Sequence, residues 1–189
     1  VMGSAYSSII SQIQSPRVAL LSNGTEHNKG TRSIVAAHQL LEESQLTFSG
    51  NVEGLDIPRG TVDVVVCDGF LGNVVLKMLE GVSDVVKDLM KVAAQKRWQW
   101  RLGLGLLRGR LDEIQQLTDW KGYGGAPLLG LDQVVIKAHG RSEALALRNA
   151  MKVAAKAVRG DLIGRIREGV AELGLGDADE EADGAPATL

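Results

Sequence analysis

The stretch TVDVVVCDG, Thr61 to Gly69, limits the fold more than any other part of the chain. Three successive valines are stiff at χ1 and favour a pleated strand over a helix. The run is continuously apolar rather than alternating, which suits a strand of a parallel sheet covered on both faces. Asp68-Gly69 stops it with a turn. Three other stretches follow the same plan: a buried strand over Arg17–Ser22, a short strand in LTFSGNVEG, and a further strand in QVVIKAHG. Helical patterns lie between and after them. Ile34, Ala37, Leu40 and Leu41 have helical spacing within Ser33–Leu46. A long helix should follow Gly69, with Asn73 as N-cap and Val75, Leu79, Val82, Val86, Leu89 and Ala93 in one stripe. SEALALRNAMKVAAKAV and Asp161–Leu173 complete the helices. Strand alternating with helix predicts an α/β domain.

The totals narrow the function. With 44% hydrophobic residues and only 4% aromatic, the core must be aliphatic. A net charge of -2 argues against a general nucleic-acid binder. Cys67 is the single cysteine, so a disulfide framework is impossible and a reducing compartment is expected. No run approaches the roughly 18 apolar residues of a spanning helix. Val1 is not an initiator and VMGSAYSSII reads as the middle of a helix, so the chain is expected to be a piece of a longer one. GDADEEADGAPATL reads as an acidic disordered tail over 176–189.

Three strands end in polar, glycine-containing loops that feed helices: SNGTEHNKGT, CDGFLGN and KAHGRS. In open α/β sheets ligands sit beyond the carboxyl ends of the strands. Helix N-termini there aim free N–H groups at anions. Lys29 adds a full charge, and one charge-assisted hydrogen bond contributes about 1.5–3 kcal/mol. The pattern points to an anion site for phosphate, or else to three ordinary βα turns. It is neither a dinucleotide fingerprint nor a P-loop. Gly103 and Gly105 in GLGLL lack a preceding strand, and GTEHNKG orders its glycines and lysine wrongly.

With these residues in view, the sequence resembles the bacterial phosphate acyltransferases. The resemblance rests on PRVALLSNGTEHNKG, FSGNVEGLDI, VDVVVCDGFLGNVVLKMLEG, YGGAPLLGL and VVIKAHGRS, in family order from Pro16 to Ser142. It implies that residues 1–175 are the C-terminal part of a single α/β catalytic domain. The implied fold is a three-layer α/β/α sandwich like that of isocitrate and isopropylmalate dehydrogenases, with a protruding helical hairpin over about 74–118. The implied reaction takes acyl-acyl carrier protein and inorganic phosphate to acyl phosphate and free carrier, in phospholipid biosynthesis. It needs no cofactor and no metal.

By the same resemblance Lys29 supplies charge to phosphate, Asn73 donates to phosphate or the oxyanion, and His139 orients phosphate or moves a proton. Gly24, Gly30, Gly69 and Gly72 give close backbone, and Lys137 is a further cation. Asp68 orients Asn73 or Lys29, or is simply a turn residue. Glu26 has the wrong charge for phosphate and is expected to orient Lys29. His27 and His38 are expected at the surface. Cys67 is expected to be a buried small hydrophobe rather than a nucleophile. Holding nucleophile and thioester together is worth about 7–11 kcal/mol, and each oxyanion donor about 2.7–4 kcal/mol.

The stretch KVAAQKRWQWRLGLGLLRGRLDEI carries Trp98, Trp100, Arg101, Leu104, Leu106 and Leu107 among further cations. Tryptophan favours the membrane interface, and each Lys or Arg there is worth about 1 kcal/mol near an anionic bilayer. The expectation is a cytoplasmic homodimer with peripheral membrane contact, the hairpin helices pairing and the tip free. The same basic face is a candidate dock for the acidic carrier protein. Two other readings stay open: an NAD(P)-dependent oxidoreductase on the related fold, and a non-catalytic membrane- or carrier-binding fragment.

Overall fold

A computed structural model of the chain describes residues 1–96, 99, 102–103, 105–107, 109, 125–138 and 142–174. Its centre is strand β1, Val18–Leu21. All four residues are buried, and Ala19 has no exposed surface at all. Burial on both faces requires cover on both sides, which explains the unbroken apolar run. β1 lies between β2 (Phe48–Val52) and β3 (Val64–Val66), and both neighbours run parallel to it.

The helix between β1 and β2 is α2, Arg32–Glu42. Thr31 caps it, its Oγ1 accepting from the Ile34 N–H at 3.4 Å. The β1–β2 register slips by one residue, from Val18 opposite Phe48 to Leu20 opposite Asn51. Gly50, at φ +80°, sits at that bulge. Arg17 and Asp63, which precede β1 and β3, are joined at 3.0 Å by two guanidinium bonds. That fork holds the entry ends of the two strands in step.

The second centre of packing is helical. The chain opens with α1, Met2–Tyr6, which continues as a π-helical turn over Ser7–Ser11. Near the C-terminus lie α4, Ala144–Arg159, and α5, Leu162–Glu172. Ile9, Ala157, Leu162 and Ile166 form one buried cluster among these elements. Asp161, in the left-handed region at φ 51°, accepts from the Gly164 N–H and starts α5 one tight turn after α4. Lys156 Nζ donates to the Ile10 carbonyl and ties α4 to the π turn. α1 packs against both α5 and β3, linking the two centres.

The fold is therefore mixed α/β with a small parallel sheet, and that sheet departs from expectation at two places, β5 and β3. β5 (Val135–Lys137) does not join the parallel sheet; it pairs antiparallel with β4, Ala126–Leu128. Pro127 lacks an N–H and belongs in such an edge pairing. β3 is three residues long and not fully covered, with Val66 45% exposed. The long helix α3, Gly69–Lys96, buries none of its residues. Val82, Val86 and Leu89 of its apolar stripe are all exposed.

Candidate functional site

β1 and β3 are parallel neighbours, so their carboxyl ends leave the sheet at the same edge. Two of the three glycine-containing loops therefore emerge side by side. The first runs from Ser22 to Thr31. Gly24 is buried in it, and a Cβ there would stand 2.7 Å from Glu26 Oε2 and 2.9 Å from Lys29 Cγ. Only a glycine lets the Glu26 and Lys29 side chains fold over the backbone at that point. Gly30 takes φ +104°, and a Cβ would press on Ile34 at 2.8 Å and Ser22 Oγ at 3.0 Å. The Lys29 N–H donates to the Glu26 carbonyl at 3.1 Å, closing a turn that leaves Lys29 exposed.

The second loop is Cys67-Asp68, directly before α3. Asp68 Oδ1 accepts from Phe70 N–H at 2.8 Å and Leu71 N–H at 3.3 Å. Asp68 is thus the N-cap, and this corrects the expectation for Asn73. Asn73 stands inside the first turns of α3, exposed, with its side chain free of any capping duty. Asp68 satisfies donors that would otherwise greet an anion, so its carboxylate belongs to the helix start. A Cβ on Gly72 would lie 3.1 Å from Cys67 Sγ, whereas Gly69 has open space around it. Cys67 is half-buried rather than buried. Burial and the neighbouring Asp68 push its thiol up, so it is a neutral thiol at physiological pH.

Lys137 ends β5 and is exposed. Because β5 is paired with β4, its loop is not carried by the edge that bears the other two. His139 lies outside the described residues, as do Trp98, Trp100, Arg101, Leu104 and the segment 175–189. Leu106 and Leu107 are described and are 83% and 55% exposed. Among the described residues no group of three His, Cys, Asp or Glu is arranged to hold a metal, and no helix is long and apolar enough to cross a membrane.

Residues 1–165 match the family described as "Fatty acid synthesis protein". The chain belongs to that family. Proteins similar to the chain are named "Phosphate acyltransferase". One from Thermoanaerobacter pseudethanolicus is 44% identical over 174 residues, covering 92% of this chain and 52% of the relative. One from Caldanaerobacter subterraneus is 45% identical over 168 residues, covering 89% and 51%. One from Campylobacter jejuni is 44% identical over 151 residues, covering 80% and 46%. The chain spans about half the length of the curated relatives it matches.

Two residues of this family member have surroundings that the sequence pattern did not reveal. His38 was expected at the helix surface and is 7% exposed. Its ring lies edge-on to Phe48 at 5.0 Å between centroids, and its Nδ1 is 3.0 Å from Asn51 Oδ1. Asn51 is itself buried, and its Nδ2 donates to the Glu26 carbonyl at 2.8 Å. His27, the other histidine of the region, is exposed as expected. His38 stands four residues after Ile34 and three before Leu41, so helical spacing sets it beside them, whereas Leu40 of the same pattern is 60% exposed. That adjacency was the available signal.

Proposed function

We propose that this chain is the C-terminal part of an acyltransferase that makes acyl phosphate from acyl-acyl carrier protein and inorganic phosphate, for phospholipid synthesis. A phosphate oxygen attacks the thioester carbonyl. The carbon–oxygen bond forms, the carbon–sulfur bond breaks, and the carrier leaves as a thiolate. Lys29 neutralises phosphate, with Gly24 and Gly30 allowing the loop its close folds. Asn73 donates to phosphate or oxyanion, Gly69 and Gly72 give backbone access, and Lys137 and His139 add charge and proton handling. The reading is carried by one observation above others: the Lys29 loop and the start of α3 leave the same edge of a parallel sheet, in a chain about 44% identical to proteins named for this activity.

The chain contributes residues 1–175 to a three-layer sandwich of the isocitrate dehydrogenase type, with α3 as the first arm of the hairpin over 74–118. Leu71, Met78, Val82, Val85, Leu89 and Val92 are exposed on α3. Their spacing of seven, four, three, four and three keeps them on one side of the helix and suits pairing with a second copy. The exposed Leu106 and Leu107 suit a membrane surface, in the cytoplasm and without spanning. The carrier protein is the acyl donor; neither cofactor nor metal enters the step.

The test is appearance of free carrier thiol on mixing the chain with acyl-carrier thioester. Release that requires phosphate, and falls at least about tenfold in Lys29→Ala, supports the proposal. Binding of phosphate and thioester without turnover would mark a carrier-binding fragment, and NAD(P) reduction would mark the oxidoreductase. For the surface contact, changing Leu104, Leu106 and Leu107 to Ser should abolish sedimentation with anionic liposomes; sedimentation that persists removes the membrane contact.

A further inference from the structure

The Lys29 loop has an anchor outside itself. Among the described residues, Asn51 is the one side chain beyond the loop that hydrogen-bonds to its backbone. It does so at the Glu26 carbonyl, the same oxygen that accepts the Lys29 N–H. One carbonyl thus receives two donors, one closing the turn on Lys29 and one fixing that turn to β2. We propose that Asn51 is a positioning residue for Lys29, and that His38 and the bulge at Gly50 set the orientation of Asn51.

The chemistry of each atom follows from its partner. A carbonyl oxygen only accepts, so the Asn51 atom facing Glu26 is the amide nitrogen. The Asn51 oxygen therefore faces His38, and His38 Nδ1 must carry a hydrogen to complete the 3.0 Å bond. A neutral His38 with its hydrogen on Nε2 would break it.

Backbone geometry explains why Asn51 is available at all. Side chains alternate along a strand, so residues three apart should face opposite ways. Phe48 and Asn51 are three apart, yet both touch His38 on α2. The slipped register between Val18 and Leu20 absorbs the extra residue, and Gly50 adopts the φ of +80° that the bulge needs. The sequence SGN is the device that turns Asn51 towards the loop.

The clamp stands on geometry alone; its consequence for phosphate rests on the function proposed above. The experiment measures amide hydrogen exchange by NMR in the 189-residue chain, together with titration by inorganic phosphate. Asn51→Asp keeps size and an acceptor for His38 but loses the donor to Glu26. The Lys29 amide should then exchange about tenfold faster, with the Val18–Leu21 amides unchanged and phosphate bound correspondingly more weakly. His38→Leu should loosen the loop in the same way. His38→Asn, which returns a donor near the Nδ1 position, should restore it. An unchanged Lys29 amide in Asn51→Asp overturns the proposal. So does acceleration of loop and β1 amides in parallel, or failure of His38→Asn to rescue. If the loop loosens but even the unaltered chain takes no phosphate, the clamp holds and the phosphate reading falls.

Discussion

β1 and α3 are both built from valine and leucine, and the molecule treats them in opposite ways. β1 buries every residue between two parallel neighbours. α3 extends over 28 residues and buries none. The difference lies in partners rather than in composition. β1 lies between β2 and β3, close in sequence, whereas α3 makes only sparse contact with the other described elements. Apolar patterning records what an element must eventually cover, not whether this chain covers it. An exposed apolar stripe of this kind supports the pairing surface proposed above for α3.

The comparison breaks most sharply under core truncation. Leu20→Ala should cost about 2–5 kcal/mol, because the residue is 4% exposed and the strand around it cannot collapse freely. Leu89→Ala, at 64% exposure, should leave the stability of the single chain within about 0.5 kcal/mol. Urea melts of both variants at low protein concentration measure the contrast. A comparable loss in Leu89→Ala would mean that α3 is held by its own chain after all.

How much of this was legible beforehand follows the same division. Local signals placed β1, β2, β3 and four helices, because β-branched runs, helical spacing and turn residues act over short range. What failed was long-range or rested on a choice between neighbours. β5 was expected beside the other strands, but it pairs with β4, whose register partners lie seven to eleven residues back. Asn73 lost the cap of α3 to Asp68, which stands directly before Gly69 where its carboxylate reaches two free N–H groups. Asn51 reaches the Lys29 loop only because a bulge reverses its face, and period-two reasoning has no means of seeing a bulge beyond the glycine that permits it. His38 looked like a surface histidine until Asn51 and Phe48 were placed around it.

Next in size is the loop at the end of β1. Gly30→Ala introduces a Cβ at φ +104° against Ile34 and Ser22. The strain should be about 1–3 kcal/mol, enough to lower the melting temperature and displace Lys29 together. Gly69→Ala, at the first residue of the exposed α3, has no atom within 4 Å of the new Cβ and should be far milder. Thermal melts paired with phosphate titration would separate the two. Equal effects would show that the two loops are held alike.

A third contrast uses pH. The Arg17 guanidinium and backbone N–H hold the Asp63 carboxyl at about 2, below the usual value near 3.9. A depressed folded-state value stabilises the protein above the unfolded value, and that contribution is lost as pH falls from about 4 towards 2. Asp63→Asn should therefore lower the melting temperature at pH 6 and remove part of its decline between pH 4 and 2. An acid limb of unchanged slope in the variant would mean that the fork between β1 and β3 does not contribute to stability.

The smallest expected effect lies on α3. Lys77 with Glu80, Lys87 with Asp84, and Lys91 with Asp88 form ion pairs three residues apart. At 100° per residue these six charges fall on the side opposite Met78, Val82, Val85 and Leu89. The helix is amphipathic, and both of its faces meet solvent in the single chain. Lys91 and Asp88 approach to 2.9 Å with both side chains more than 70% exposed, so water screens the pair. Lys91→Ala should change stability by no more than about 0.5 kcal/mol, with little dependence on salt. On the pairing proposed above, the same substitution should also leave the concentration dependence of self-association unaltered, whereas Leu89→Ser should abolish it, since the apolar stripe is the surface proposed to meet a second copy. Analytical ultracentrifugation of the two variants distinguishes the faces. Dissociation by the lysine change rather than the leucine change would assign the paired surface to the charged side and reverse the reading of α3.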